Sequence, residues 1–463
     1  MSLIIPSNSV VSGGYNVDNS CMFNYADGAY LNRTLGTPTN NIRWTWSTWI
    51  KRSKITGSQQ RIFFAVNGAG NYTTIQFDDE QYLVWFNENG GTDMQLKTSR
   101  QFKDTNAWMN LVFVYDSANA TEADRQIIYV NGVRETSFEI NNPAGSSVTT
   151  AINQAVVHNI ASGPGAANFY GGYMSEVVFT DGQALAVTDV GEFDEDSGIW
   201  KPKDVSGLTF GSNGFYLDFE DSANLGNDAN GGTDFTEVNL AATDQATDTC
   251  TNNFATMNSL DNYYQSATFT DGNNTMLTDG SATAFSTSTI MPSIGKWYAE
   301  CKIISGTSTT NVGITGTMAT AASQILESRA DGYAYTSQGE FGNNGTAGGY
   351  GSSYANGNIV GVAMDLDNNK LYFSKNGVFQ DSGNPSAGSG GKTITAAAST
   401  TMGQYSFSAG DTNSSTRTFS WNFGSPYFAI SSGNADADGF GNFEYAVPTG
   451  YFALCTKNLA EYG

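Results

Sequence analysis

A single histidine in 463 residues leaves any enzymatic reading to be built from carboxylates. Charge as a whole is scarce: 14% of the residues are Asp, Glu, Lys or Arg, against about a quarter in ordinary soluble domains. That shortage argues against coiled coil, helical bundle and disorder. Positive charge is scarcer still, since 21 Lys and Arg face 44 Asp and Glu, a formal charge of -23. A surface of that sign repels phosphate backbones and anionic headgroups, so neither nucleic acid nor membrane insertion is expected. No apolar stretch approaches the ~18 residues of a membrane span. The opening residues, MSLIIPSNSVVSGG, lack the basic start and long apolar core of a secretory signal, so export is not expected. Cys21, Cys250, Cys301 and Cys455 stand far apart without paired spacing. They read as buried free thiols and not as a disulfide framework or a zinc site.

What the chain has in quantity is glycine, at 52 residues, and aromatics, at 13%. Short apolar runs alternate with Gly, Asn and Asp turns, the pattern of many strands joined by tight connections. Residues 44–50 (WTWSTWI), 108–115 (WMNLVFVY), 297–303 (WYAECKI) and 358–364 are examples, and the one expected helix is a short stretch at 184–192. An internal echo stands out. Residues 111–116 (LVFVYD) lead through a loop to 127–133 (IIYVNGV), and 359–365 (IVGVAMD) lead to 371–378 (LYFSKNGV). Asn-Gly favours the hairpin turn in which both central residues take positive φ. Two copies in the same order predict two sandwiches on related plans. At this length at least two folded units are expected.

The blocks at 44–53, 108–117, 127–133 and 171–185 (GGYMSEVVFTDGQAL) resemble laminin-G or concanavalin-A-like modules. Those at 295–303, 311–314 (NVGI), 332–335 (GYAY), 356–378 and 421–428 (WNFGSPYF) resemble a SPRY domain. The resemblance implies an all-β chain of two tandem antiparallel jelly-roll sandwiches. Expected boundaries are an anchor or tail at 1–20, a laminin-G-like sandwich at 21–200, a structured connector at 201–256, and a SPRY-like sandwich at 257–463. The connector is expected to lend a strand to the second sandwich.

The tandem arrangement, with GFYLDFEDSANLGND at 214–228 and FEYAVPTGYFALCTKNL at 443–459, is similar to virion proteins of tailed marine bacteriophages. It implies a non-enzymatic protein of the virion surface, a tail fibre or receptor-binding protein touching host-surface glycans. Other virion proteins would be its partners, and a trimer follows by analogy with fibres. No heptad stalk or collagen-like repeat is present, which favours the alternative of a capsid decoration or head fibre. A polysaccharide depolymerase is the enzymatic alternative.

Candidate contacts lie in 339–357 (GEFGNNGTAGGYGSSYANG), whose Tyr, Ser, Asn and Gly match the composition of antibody loops. Tyr350 and Tyr354, with Asn343 and Asn344, are the expected ligand residues; tyrosines packed on a plain loop are the competing account. No cofactor is required. Calcium is the one ion with a candidate loop, because Asn434, Asp436 and Asp438 alternate before Gly439 as at the start of an EF-hand. The match stops at position twelve, where Tyr445 stands, and a solvated acidic loop is the competing account. For a depolymerase, Glu192, Asp194 and Asp196 are the nearest alternating acids, and they read as a solvated turn. Glu300 reads as a lone outward acid, His158 as a packed histidine, and Trp44 and Trp46 as one core-facing strand side.

Overall fold

The computed structural model describes residues 14–463 other than 56, 164, 263, 265, 281, 282, 284, 307–309, 322 and 414. The anchor or tail expected at 1–20 lies outside the described residues up to 13. Two compact units divide the described chain at 251/252. Both are all-β, and each is a pair of antiparallel sheets closed over an aromatic interior.

In the first unit, one sheet runs in the order Val133–Arg134, Gln126–Val130, Met109–Asp116, Arg43–Arg52, Gly172–Asp181, Ser20–Phe23 and Gln245–Ala246. The other runs Phe138–Asn142, Thr92–Gln101, Tyr82–Asn89, Asn71–Phe77, Gln60–Val66, Val157–Ile160, Tyr30–Thr34 and Thr236–Val238. Alternation places Trp44 and Trp46 in the interior. There Trp46 stacks on Phe63 at 4.8 Å and Trp44 meets Trp85 at 5.3 Å. These rings bury more apolar surface than any other side chain type, so they dominate the cohesion of the sandwich. The segment read as a connector is built into this unit, not lent to the second. Phe215–Leu217 pairs with Gly172–Asp181, Thr236–Val238 pairs with Tyr30–Thr34, and Phe215 and Phe235 enter the core. Their large apolar rings have to be buried somewhere, and the first sandwich supplies the sheet edges.

The second unit has one sheet in the order Thr268–Thr270, Thr275–Leu277, Thr418–Asn422, Lys296–Ser305, Ile359–Asp365, Lys370–Lys375 and Val378–Phe379. Phe285–Thr287, Ser406–Asp411, Thr310–Thr315, Gly332–Thr336, Glu340–Asn343 and Thr346–Gly349 make the other. Both echoed pairs are hairpin neighbours, Met109–Asp116 with Gln126–Val130 and Ile359–Asp365 with Lys370–Lys375. The Asn-Gly corners adopt the expected positive φ, 50° and 74° at Asn131 and Gly132, 47° and 78° at Asn376 and Gly377.

The helix expected at 184–192 is reduced to a 3₁₀ turn at Val187–Asp189, followed by the strand Gly191–Phe193. β-Branched Val187, Thr188 and Val190 and the glycine at 191 disfavour a helix there. Thr456–Tyr462 forms the one α-helix among the described residues.

Candidate functional site

Tyr350 and Tyr354 are not surface contacts. Both lie in the core of the second unit, 6% and 2% exposed. The Tyr354 hydroxyl donates to the carbonyls of Thr310 and Tyr335 at 2.9 Å, and the Tyr350 oxygen accepts from the Phe373 amide at 3.1 Å. In a loop otherwise made of Gly, Ser and Asn, these rings carry the apolar area that pins it down, so they turn inward.

Asn343 and Asn344 belong to a tight hairpin turn, with Asn344 at φ 52°. The Asn343 side-chain amide donates to the carbonyls of Gly332 at 2.8 Å and Ala330 at 3.0 Å, and the Asn344 amide donates to the Arg329 carbonyl at 3.1 Å. They therefore hold the neighbouring 328–332 loop in shape.

The 434–439 loop is braced by its own acid. Asp436 accepts from the amides of Asp438 and Phe440 on one oxygen, and from the Ala453 amide and the Asn458 side chain on the other. Asn434 turns its side-chain amide onto the carbonyls of Phe443 and Glu444. Among the described residues no group of three or more acids, histidines or cysteines gathers as a cation would require.

Glu192 and Asp194 lie on an exposed hairpin, where both pair with Lys201. Asp194 closes its turn by accepting from the Ser197 amide, the largest of the contacts that hold its carboxyl down at about 2. His158 is sealed in the first core, its pKa pushed down to about 4 by burial, with Nε2 accepting from the Asn153 amide. Glu300 corrects the expectation of an outward acid: it is wholly buried and takes four hydrogen bonds.

The cleft that the structure offers lies at one end of the second unit, about 430 Å³ in volume, lined by Ser328, Arg329, Ala330, Asp331, Thr395, Ser399 and Thr401. Two loops build it, 328–331 ahead of strand Gly332–Thr336 and 395–401 ahead of strand Ser406–Asp411. Asp331 Oδ2 is fixed by the Thr401 amide at 3.0 Å and hydroxyl at 2.9 Å. Its Oδ1 has no partner among the described residues. The Arg329 guanidinium likewise makes no ion pair or side-chain hydrogen bond among them. Thr395 is held between two rings: its amide donates to the Tyr333 oxygen at 2.9 Å, and its carbonyl accepts from Tyr405 at 2.8 Å.

The result is a shallow polar floor with one free carboxylate oxygen, one free guanidinium and several hydroxyls on rigid backbone. Such a set can accept from and donate to adjacent hydroxyls of a bound polyol. It holds no nucleophile paired with a base, and so lacks the constellation that covalent chemistry needs. Sequence reasoning missed these residues. Only the Asn-rich turn beside them was visible.

Residues 24–191 match the family model described as the concanavalin A-like lectin/glucanases superfamily, a laminin-G type. Among solved structures, the SPRY domain of human HERC1 is 13% identical, with 32% of this chain and 86% of that one covered, at a TM-score of 0.24. A protein of Bacteroides ovatus named for carbohydrate binding is 15% identical, with 48% and 58% covered, at a TM-score of 0.32. No curated protein sequence matches the chain. Through the body of its two sheets, the first unit is thus similar to the concanavalin A-like lectins and glucanases.

Proposed function

We propose that this chain is a non-catalytic carbohydrate-binding protein, and that the cleft at Arg329 and Asp331 is a binding site for a saccharide. The observation that carries the reading is the pairing of a fixed Asp331, one oxygen left open, with an unpaired Arg329 over exposed Thr395, Ser399 and Thr401. A carboxylate accepts from two vicinal hydroxyls, and a guanidinium donates to ring or hydroxyl oxygens.

Asp331→Asn is the discriminating variant. Its amide oxygen keeps both bonds from Thr401, while the open acceptor becomes a donor. On a glycan array followed by calorimetry, the wild-type chain is expected to bind a neutral oligosaccharide. Asp331→Asn and Arg329→Ala should each weaken it about ten-fold or more. Binding unchanged by both variants would remove the cleft from the reading.

The enzymatic alternative is a polysaccharide depolymerase centred on Glu192. The pairing of Glu192 and Asp194 with Lys201 supports the non-catalytic reading. New reducing ends from host polysaccharide, abolished by Glu192→Gln, would reverse the choice.

We infer a place on the outside of a phage particle from the resemblance of the tandem arrangement, as tail fibre or, alternatively, capsid decoration. Weak contacts would gain strength there through many copies. Electron microscopy of intact particles is expected to find the chain at the tail or on the capsid lattice, and its absence from purified particles would end that part of the proposal.

A further inference from the structure

Arg61 stands on the outward side of the first unit's Gln60–Val66 strand. A bulge between Arg61 and Phe63 shifts the register, so Ile62 and Phe63 enter the core while Arg61 and Phe64 share the other face. The Arg61 guanidinium carbon sits 4.8 Å from the Phe64 ring centre and 5.4 Å from that of Tyr72. Tyr72 in turn meets Phe86 edge-on at 5.5 Å, and both of these rings are half-exposed. Gly163 flanks the arginine so closely that an added Cβ would lie 2.7 Å from Arg61 Cδ.

What is missing is a counter-charge. Arg61 is 7% exposed, yet its Nε and Nη1 have no hydrogen-bond partner. Other buried arginines of this unit are provided for. Arg33 pairs with Asp228 at 3.1 Å, and Arg52 donates to the carbonyls of Phe102 and Lys54 and to Gln60 and Gln81. In a chain with twice as many acids as bases, an arginine left without one is costly. A guanidinium cannot shed its proton, and each orphaned donor costs on the order of 1–3 kcal/mol.

We propose that this face binds an acidic saccharide, with a uronate carboxylate on Arg61 and its pyranose ring against Tyr72 and Phe86. The planar carboxylate matches the guanidinium fork, and ring C–H groups match the aromatic surface. The site is separate from the Arg329 cleft and does not depend on it.

The test is calorimetry of the full chain with tetragalacturonate and with its methyl ester, which removes the charge and little else. Dextran sulfate and dextran form a second pair. The wild type is expected to bind the acid about ten-fold more tightly than the ester, with the preference shrinking as salt rises. Arg61→Met should abolish the preference and Arg61→Lys should keep part of it. Should Arg61→Met fail to fold, Tyr72→Ala on the exposed part of the stripe should still weaken tetragalacturonate several-fold. Asp331→Asn should leave it unaltered. Equal affinity for acid and ester, binding of dextran sulfate without galacturonate, or loss of the preference in Asp331→Asn would each overturn the proposal.

Discussion

Glu300→Gln is expected to destabilise the second unit by about 3 kcal/mol, although it changes one atom. The Glu300 carboxylate is wholly buried on strand Lys296–Ser305. Four donors converge on it: the Tyr445 amide at 2.8 Å and the Tyr298 hydroxyl at 3.1 Å on Oε1, the Glu444 amide at 2.9 Å and Asn422 Nδ2 at 3.3 Å on Oε2. Burial raises its pKa, while the bonds from Glu444 and Tyr445 oppose that rise. Four donors fill the four lone-pair directions of an ionised carboxylate, so the charged form is the one the site is shaped for. A glutamine would turn an N–H₂ group toward two donors. Those donors would lose their acceptor without gaining water, and the 431–445 loop would lose its anchor. Urea denaturation should show a lower midpoint with an unchanged slope. A variant within ~0.5 kcal/mol of wild type, the range of an ordinary surface change, would refute the anchoring role.

The opposite sign is expected at Glu176 in the first unit. A bulge between Ser175 and Val178 puts Glu176 at φ 51° and buries it, 5% exposed. Its partner is the Tyr216 hydroxyl, 2.9 Å from both oxygens and backed by Tyr15 at 3.0 Å. Such sparse donation does not compensate an ionised carboxylate, and burial pushes the pKa from 4.5 up to about 8. A folded-state pKa above the unfolded one means that the folded chain holds the extra proton. Stability is therefore fully present below about 4.5 and is lost as pH rises toward 8. Glu176→Gln keeps an acceptor for Tyr216 and removes the titration. The variant should match wild type in acid and exceed it by about 3 kcal/mol at neutral pH. Denaturation curves across that interval measure the difference directly. A variant less stable than wild type at neutral pH would mean that the carboxylate is charged and held.

These two acids could not be told apart in the sequence. Glu300 in WYAECKI and Glu176 in YMSEVVF are each a single acid in an apolar strand. Their fates depend on donors more than a hundred positions from Glu300 and forty from Glu176. Tyr350 and Tyr354 show the same limit, because composition marks a loop but not the direction in which its rings point. The Arg329 cleft joins segments about seventy residues apart, through Thr401 on Asp331. No local spacing announces it.

Local chemistry by itself determined a good deal. Period-two alternation sent Trp44 and Trp46 to the interior. Asn131-Gly132 and Asn376-Gly377 dictated two hairpin corners, because few other residue pairs accept positive φ twice running. Scarce charge and plentiful turns made the chain all-β. Tertiary structure decided what each polar group became, since a carboxylate or guanidinium takes its character from neighbours the fold brings from elsewhere. Glu300 became an anchor, Glu176 a neutral acid, and Arg61 a cation without a counter-charge for that reason.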